Sequence, residues 1–200
     1  MITLIIIAIT VLFSIAAFNR PELFYRYNFN PYQTIRRKQW YRLFSHALLH
    51  ANWEHLFVNM FVLYSFGNAM EKYFAYYFGH NVLLLYLGLY LGGIVASSIK
   101  TLVKQKDNYN YNAVGASGAV SAVVFASIFF DPLNMIYFFA IIPIPGILFG
   151  ILYLWYSSYM SKRNIDNVGH EAHFWGAVFG FVYPLLLKPS LIYNFIDRLF

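Results

Sequence analysis

The chain has 200 residues, of which 60% are hydrophobic, 22% aromatic and only 11% charged. Its 14 Lys and Arg and 8 Asp and Glu cannot form the charged surface that a soluble domain of this size needs, so the composition predicts a membrane protein. The net charge of +6 suits anionic lipid headgroups. The sequence has no basic stripe with interleaved aromatics of the kind that would indicate nucleic-acid binding. The lack of cysteine excludes disulfides and cysteine-bound metals.

Apolar stretches long enough to cross or nearly cross a membrane follow one another along the chain. A bilayer core of about 30 Å takes roughly 20 helical residues. The first stretch has no basic start and no A-x-A site, so we expect a retained span rather than a cleaved signal peptide. The fourth and fifth are short, and a short helix is usually surrounded by others, which predicts a central place for the fourth. The six predicted spans are residues 1–18, 47–69, 80–103, 115–130, 144–160 and 171–188.

Two connections between these spans have a distinct composition. Residues 19–46 are rich in Trp, Tyr and Arg, and we expect an interfacial loop there. Residues 131–146, DPLNMIYFFAIIPIPG, contain three prolines that cannot continue a helix, which predicts a second interfacial loop. Because no internal repeat or long linker divides the chain, residues 1–200 are predicted to form one all-α membrane domain.

Polar residues collect at the starts of the second, fourth and sixth spans. His55 and Asn59 are four residues apart and share a helix face. Ser117 opens the fourth span, and His173 lies in the HEAH stretch that opens the sixth. Since alternate spans run in the same direction, these side chains are expected at similar depth on one side of the membrane, where polar groups usually face the bundle interior or water.

Small residues predict how closely these helices approach. Gly176 and Gly180 form G-x-x-x-G after His173, and Gly115 and Gly118 flank Ser117, each with an alanine four residues later. Helices with such faces pack at near contact.

Packing of the fourth span against the sixth would bring the Ser117 hydroxyl within reach of the His173 imidazole, as a Ser–His nucleophile requires. A neutral imidazole can accept the hydroxyl proton and return it to a leaving amine. The Asn59 amide, the His55 N–H and the Ser117 backbone N–H are candidate donors to an oxyanion.

Each of these features alone has a commoner explanation. G-x-x-x-G is usually plain helix packing, a lone membrane serine usually bonds to the carbonyl four residues earlier, and a His–Asn pair is often an interhelical contact. The specificity lies in the combination at the starts of alternate spans. The other histidines of the first half, His46, His50 and His80, are expected at the membrane interface.

The stretches GASG at 115–118, HLFVN at 55–59 and AHFWGAVFG at 172–180 resemble the rhomboid family of intramembrane serine proteases, and the resemblance covers roughly 35–188. It implies a six-transmembrane-helix bundle with a water-filled cavity, and a Ser–His dyad without an acidic third member. By this resemblance Ser117 is the nucleophile, His173 the general base and acid, and His55 and Asn59 stabilise the oxyanion. Gly115 matches the first glycine of the motif, where a side chain would crowd the site.

The resemblance also implies the reaction and its setting. The substrates are transmembrane proteins, cut in or near their membrane segments after local unwinding and next to a small residue, with no cofactor and no metal. The protein would be a multi-pass protein of the bacterial cytoplasmic membrane whose active site opens to the extracytoplasmic side. The first loop carries six basic residues, which by the positive-inside rule favours the opposite orientation; they are Arg20, Arg26, Arg36, Arg37, Lys38 and Arg42.

One position departs from the family pattern. Some rhomboids carry a tyrosine four residues after the nucleophile that stacks on the histidine, and Ser121 occupies that position here. We therefore expect a Tyr or Trp from another helix to position His173.

Three other functions stay open on the sequence. A catalytically inactive relative could bind transmembrane clients, although both Ser117 and His173 are present. A transporter could use His55, His173 and Glu171 as a proton relay, but such proteins usually carry inverted repeats. An intramembrane metalloprotease would need H-E-x-x-H, and the HEAH stretch is one residue short. The sequence indicates no oligomeric state.

Overall fold

A computed structural model of the chain describes residues 1–138, 141–163 and 168–200. Within these ranges the chain is mostly helical, with one short antiparallel hairpin. The elements in chain order are α1 (Ile2–Phe18), α2 (Pro21–Tyr27), α3 (Pro31–Arg36), α4 (Arg42–Ser45), α5 (Trp53–Phe78), α6 (Val82–Lys104), α7 (Ser117–Phe130), β1 (Met135–Phe138), β2 (Ile142–Pro145), α8 (Gly146–Arg163), α9 (His170–Leu187) and α10 (Leu191–Leu199).

The helices α5 and α6 form a long apolar hairpin. Together with the turn between them they make up Trp53–Lys104, 52 residues that contain an 18-residue window with a mean hydropathy of 2.0. In the described part of the chain this is the one helical stretch long and apolar enough to cross a membrane. Gly79, at φ +63, ends α5 in a backbone conformation that glycine tolerates best. The helices Ile2–Phe18 and Ser117–Phe130 are apolar but shorter. Six membrane crossings therefore stay a prediction.

The short helix α7 is the centre of the fold. Every residue from Gly118 to Phe130 is buried, and the helix packs against α5, α6, α8 and α9. Its 14 residues span about 21 Å, less than a bilayer core, so it is too short to cross alone. The central place predicted for the fourth apolar stretch agrees with this burial.

The outer faces of the other helices are apolar. Large hydrophobic side chains point outward over much of the surface, where a soluble domain would carry charge. Exposing these side chains to water would cost free energy, and an apolar solvent such as lipid removes that cost. Examples more than half exposed are Leu12, Phe57, Tyr64, Leu84, Ile151 and Trp155.

Two sequence predictions about element boundaries are wrong. The second span begins at Trp53 rather than 47, because the Asn52 side chain caps the helix by accepting from the His55 N–H at 2.8 Å, and it runs on to Phe78 rather than 69. Residues 131–146, predicted as an interfacial loop, contain an ordered hairpin. Met135–Phe138 pairs with Ile142–Pro145, so the fold is not purely α-helical. The prolines interrupt helix but are tolerated in an edge strand.

The first connection is more ordered than a loop. It contains α2, α3 and α4, tied together by the buried guanidinium of Arg42, which is 4% exposed. Arg42 donates to the carbonyl and side-chain oxygens of Asn28 at 2.9 and 2.8 Å and to the Tyr25 carbonyl at 3.0 Å. Phe29 then pairs with Ala113 through two backbone hydrogen bonds of 2.9 and 3.0 Å. The connection thus supports the segment that leads into α7.

Candidate active site

Ser117 is the first residue of α7 and follows a turn that requires glycine. Gly115 has φ +123, a conformation that side chains disfavour, and its N–H donates to the His46 carbonyl at 3.0 Å. A methyl group at Gly115 would lie 2.7 Å from Cε1 and 3.0 Å from Nε2 of His55. The glycine therefore allows both the turn and the close approach of the imidazole, two residues before Ser117.

The position of Ser117 also shapes its electrostatics. The first four N–H groups of a helix have no intrahelical acceptor, and they carry the positive end of the helix dipole. The Ser117 N–H is one of these, and the side chain is half-buried. Negative charge that develops next to the Ser117 hydroxyl would thus meet a backbone donor.

The helix α9 lies against α7 with almost no side chain between them. A methyl group at Gly176 would overlap the Gly118 carbonyl oxygen, and one at Gly180 would overlap the Ala122 carbonyl oxygen. From the first pair to the second, the residue number increases by four on each helix, so the two helices run in the same direction at this contact. Because Ser117 precedes Gly118 and His173 lies one turn before Gly176, both side chains stand at the same end of the contact.

The ring of His173 is packed against α8. The Tyr153 ring stacks on it, with centroids 6.3 Å apart and planes inclined by 27°. The Tyr153 hydroxyl lies 2.7 Å from Oγ of Ser121, which is on α7 one turn after Ser117. The His170 ring also contacts the His173 ring, in an edge arrangement with centroids 6.1 Å apart.

His55 and Asn59 occupy the first turns of α5. The Ala51 N–H donates to Nδ1 of His55 at 3.4 Å, so Nε2 carries the proton of the neutral ring and faces Gly115 as a donor. The Asn59 side chain, 6% exposed, donates to the His55 carbonyl at 2.8 Å and keeps a second N–H. The contacts thus join His55 directly to the turn before Ser117, whereas Asn59 lies one turn deeper on the same helix.

Comparison with known proteins identifies the family. Residues 37–190 match the model of the Rhomboid domain family. The chain belongs to the rhomboid family. The family resemblance predicted from GASG, HLFVN and AHFWGAVFG is thereby confirmed, and the rhomboid family includes membrane-embedded serine proteases as well as inactive members.

Named relatives come from plant organelles and from a bacterium. This rhomboid is 31% identical over 150 residues to "RHOMBOID-like protein 12, mitochondrial" of Arabidopsis thaliana, a match that covers 68% of this chain and 43% of the relative. It is 30% identical over 145 residues to "Rhomboid protease GluP" of Bacillus subtilis (strain 168), covering 72% and 26%. "Rhomboid-like protein 11, chloroplastic" of Arabidopsis thaliana is 36% identical over 81 residues, covering 40% and 26%. The chain spans less than half the length of each relative.

Two histidines of this rhomboid that we expected at the interface are buried instead. His46 lies 3.3 Å from Oγ of Ser98 through Nε2, and burial lowers the pKa of His46 to about 4, so the ring is neutral at pH 7. His50 lies 3.0 Å from Oγ of Ser14 through Nδ1 and packs edge-on against His55 at 4.9 Å. Both therefore contact residues of the candidate site: the His46 carbonyl accepts from the Gly115 N–H, and the His50 ring packs against His55. His80 is exposed.

The contact of Tyr153 with His173 could not be placed from sequence. The sequence indicated only that a ring from another helix was needed, because Ser121 replaces the stacking tyrosine, and α8 alone offers several aromatic residues.

The acidic residue of the HEAH stretch forms an ion pair: Glu171 lies 2.8 Å from the Lys100 ammonium. In the described ranges no three His, Asp or Glu side chains are grouped as a metal site would require.

Proposed function

We propose that this rhomboid is an intramembrane serine endopeptidase in which Ser117 is the nucleophile and His173 the general base and acid. The observation that carries the proposal is the side-chain-free contact of Gly176 with Gly118, which sets the two helix starts side by side. The stacking of Tyr153 on His173 and its hydrogen bond to Ser121, one turn from Ser117, support it.

In the proposed acylation step, the Ser117 oxygen attacks the carbonyl carbon of the scissile peptide bond while His173 takes the hydroxyl proton. The carbonyl π electrons move to its oxygen, which then accepts from the Ser117 N–H, His55 Nε2–H and the free Asn59 N–H. Each such donor contributes about 3–4 kcal/mol to lowering the barrier. Collapse of the intermediate breaks the C–N bond, and His173 returns its proton to the leaving amine.

Deacylation repeats this sequence with water. His173 removes a proton from the attacking water, the hydroxide oxygen bonds to the acyl carbon, and the same donors hold the second oxyanion. Breaking the ester C–O bond returns the proton from His173 to Ser117. The dyad is thereby restored, and no cofactor or metal takes part.

We propose transmembrane proteins as substrates. Peptide carbonyls of an intact membrane helix are shielded and hydrogen-bonded, so a substrate needs helix-weakening residues near the cut. The family resemblance favours a small residue before the scissile bond. The proposal includes a single domain with six spans in a bacterial cytoplasmic membrane, its site opening outward; the Bacillus relative supports a bacterial setting, while two relatives carry organellar names.

The experiment is labelling of detergent-solubilised protein by a fluorophosphonate probe, which reacts with activated serines. Wild type is compared with Ser117→Ala, His173→Ala and, as a matched control, Ser127→Ala, a buried serine of the same helix. We expect wild type and Ser127→Ala to label and the other two variants to lose labelling. If folded wild type stays unlabelled while an active rhomboid labels alongside it, the protease proposal is wrong and client binding becomes the better explanation.

A further inference from the structure

A polar pair lies in the apolar interior directly behind the proposed general base. The hydroxyls of Ser121 and Tyr153 are 2.7 Å apart, and Ser121 is 6% exposed. Tyr153 is half-buried. A buried hydroxyl such as that of Ser121 costs free energy unless it is hydrogen-bonded, and the Tyr153 hydroxyl meets that need. The same Tyr153 ring covers one face of His173.

We propose that Tyr153 and Ser121 are positioning residues that hold the His173 ring at the angle required for proton exchange with Ser117. The inference rests on the proposed function, because the ring needs this alignment only if it serves Ser117. Neither residue touches the reacting atoms; both act through His173.

Besides the direct packing of α9 on α7, a chain of side-chain contacts connects the helix of Ser117 to His173. Ser121 lies four residues after Ser117 on the same face of α7, so its hydroxyl is fixed relative to the nucleophile. Its hydrogen bond fixes Tyr153, and the stacked ring then restricts rotation of the His173 imidazole about its Cβ–Cγ bond. The orientation of the base is thus set from the helix that carries the nucleophile.

The neighbours of Tyr153 keep its ring in place. Phe149 stacks on it at 5.8 Å with planes inclined by 29°, and Phe125 of α7 contacts it at 5.5 Å. With aromatic rings around it and the hydroxyl bonded at its tip, Tyr153 cannot turn without losing contacts. Because its own position is restricted in this way, the Tyr153 ring can hold the His173 imidazole within the small range of orientations that proton transfer allows.

The test measures the kinetics of fluorophosphonate labelling, separating the maximal rate kinact from the half-saturating concentration KI. Tyr153→Leu removes the ring and should lower kinact roughly three- to tenfold at unchanged KI, since a stacked aromatic pair contributes about that factor. Tyr153→Phe and Ser121→Ala each remove the same hydrogen bond and should each lower kinact about threefold. Their double variant should be no slower than either alone, because both changes delete one interaction.

Tyr156→Leu is the matched control. Tyr156 lies on the same helix one turn away and packs edge-on against His170 rather than on His173, so its replacement should leave kinact unchanged. Thermal unfolding confirms that each variant is folded, and Tyr153→Phe keeps the ring should Tyr153→Leu fail to fold. A kinact within twofold of wild type for all three single variants would overturn the inference, as would a lower melting temperature without any change in kinact. Failure of wild type to label would instead refute the proposed function.

Discussion

Replacing Gly176 by alanine tests the contact on which the proposed dyad depends. The added methyl would lie 2.9 Å from the Gly118 carbonyl carbon and 3.1 Å from its Cα, besides overlapping the carbonyl oxygen. Carbon atoms pack at about 3.5–4.0 Å, so α9 must move away from α7 by roughly 0.5–1 Å. Overpacking of this kind costs about 1–3 kcal/mol of stability.

The effect on labelling should exceed the effect on folding. A misplacement of about 1 Å between catalytic groups can lower a rate about 100-fold, and His173 moves with α9. The assay is the rate of fluorophosphonate labelling together with the melting temperature in detergent. The matched control is Gly150→Ala on α8, whose methyl would meet Phe125 and Ile128 at ordinary contacts of 3.4 and 3.6 Å. Wild-type labelling and stability in Gly176→Ala would refute the reasoning.

Three further predictions concern residues around Ser117. Gly115→Ala should lower the labelling rate at least 100-fold, since the φ of +123 and the 2.7 Å approach to His55 both exclude a side chain, and circular dichroism checks that the fold survives. Turnover of a peptide substrate should fall about 10²–10³-fold in His55→Ala and in Asn59→Ala, with KM little changed, because each loses an oxyanion donor; a change confined to KM would contradict this role. Burial lowers the pKa of His46 from its ordinary 6.5 to about 4, so between these pH values the unfolded chain binds more protons than the folded chain. The free energy of unfolding therefore falls as the pH drops from 6.5 to 4, by up to about 3 kcal/mol, and this contribution changes no further at lower pH. Melting temperatures from pH 4 to 8 should therefore decline more steeply in wild type than in His46→Gln, and parallel curves would contradict the prediction.

The sequence was most informative where a pattern repeats along a helix. Apolar length located α1, α6, α7, α8 and α9 to within three residues at each end. The G-x-x-x-G of Gly176 and Gly180 predicted the close approach of α9 to α7. Both patterns work because helix geometry converts a fixed spacing into a fixed face. The glycine at 115 was predicted to be small for lack of space, and the structure adds that its backbone conformation requires glycine too.

The misses arose where tertiary contacts decide. Ala47, Leu48 and Leu49 look like the start of a span, yet Asn52 caps the helix later and these residues lie in a buried turn and the strand-like segment after it. His46 and His50 were expected at the interface, but each ring has one nitrogen near a serine hydroxyl inside the fold, Ser98 for His46 and Ser14 for His50. The partner of Ser121 depends on the rotation of α8, which no local pattern encodes.

The measurement that tests the central claim most directly is cleavage of single-span proteins in lipid vesicles containing this rhomboid. The panel carries an alanine or serine before a helix-weakening stretch in or near the span, and products are located by mass spectrometry. We expect wild type to cut within that stretch and Ser117→Ala to leave every substrate intact. Equal cleavage by Ser117→Ala, or capture of the substrates without cleavage by wild type, would contradict the assignment of Ser117 as the nucleophile of an intramembrane protease.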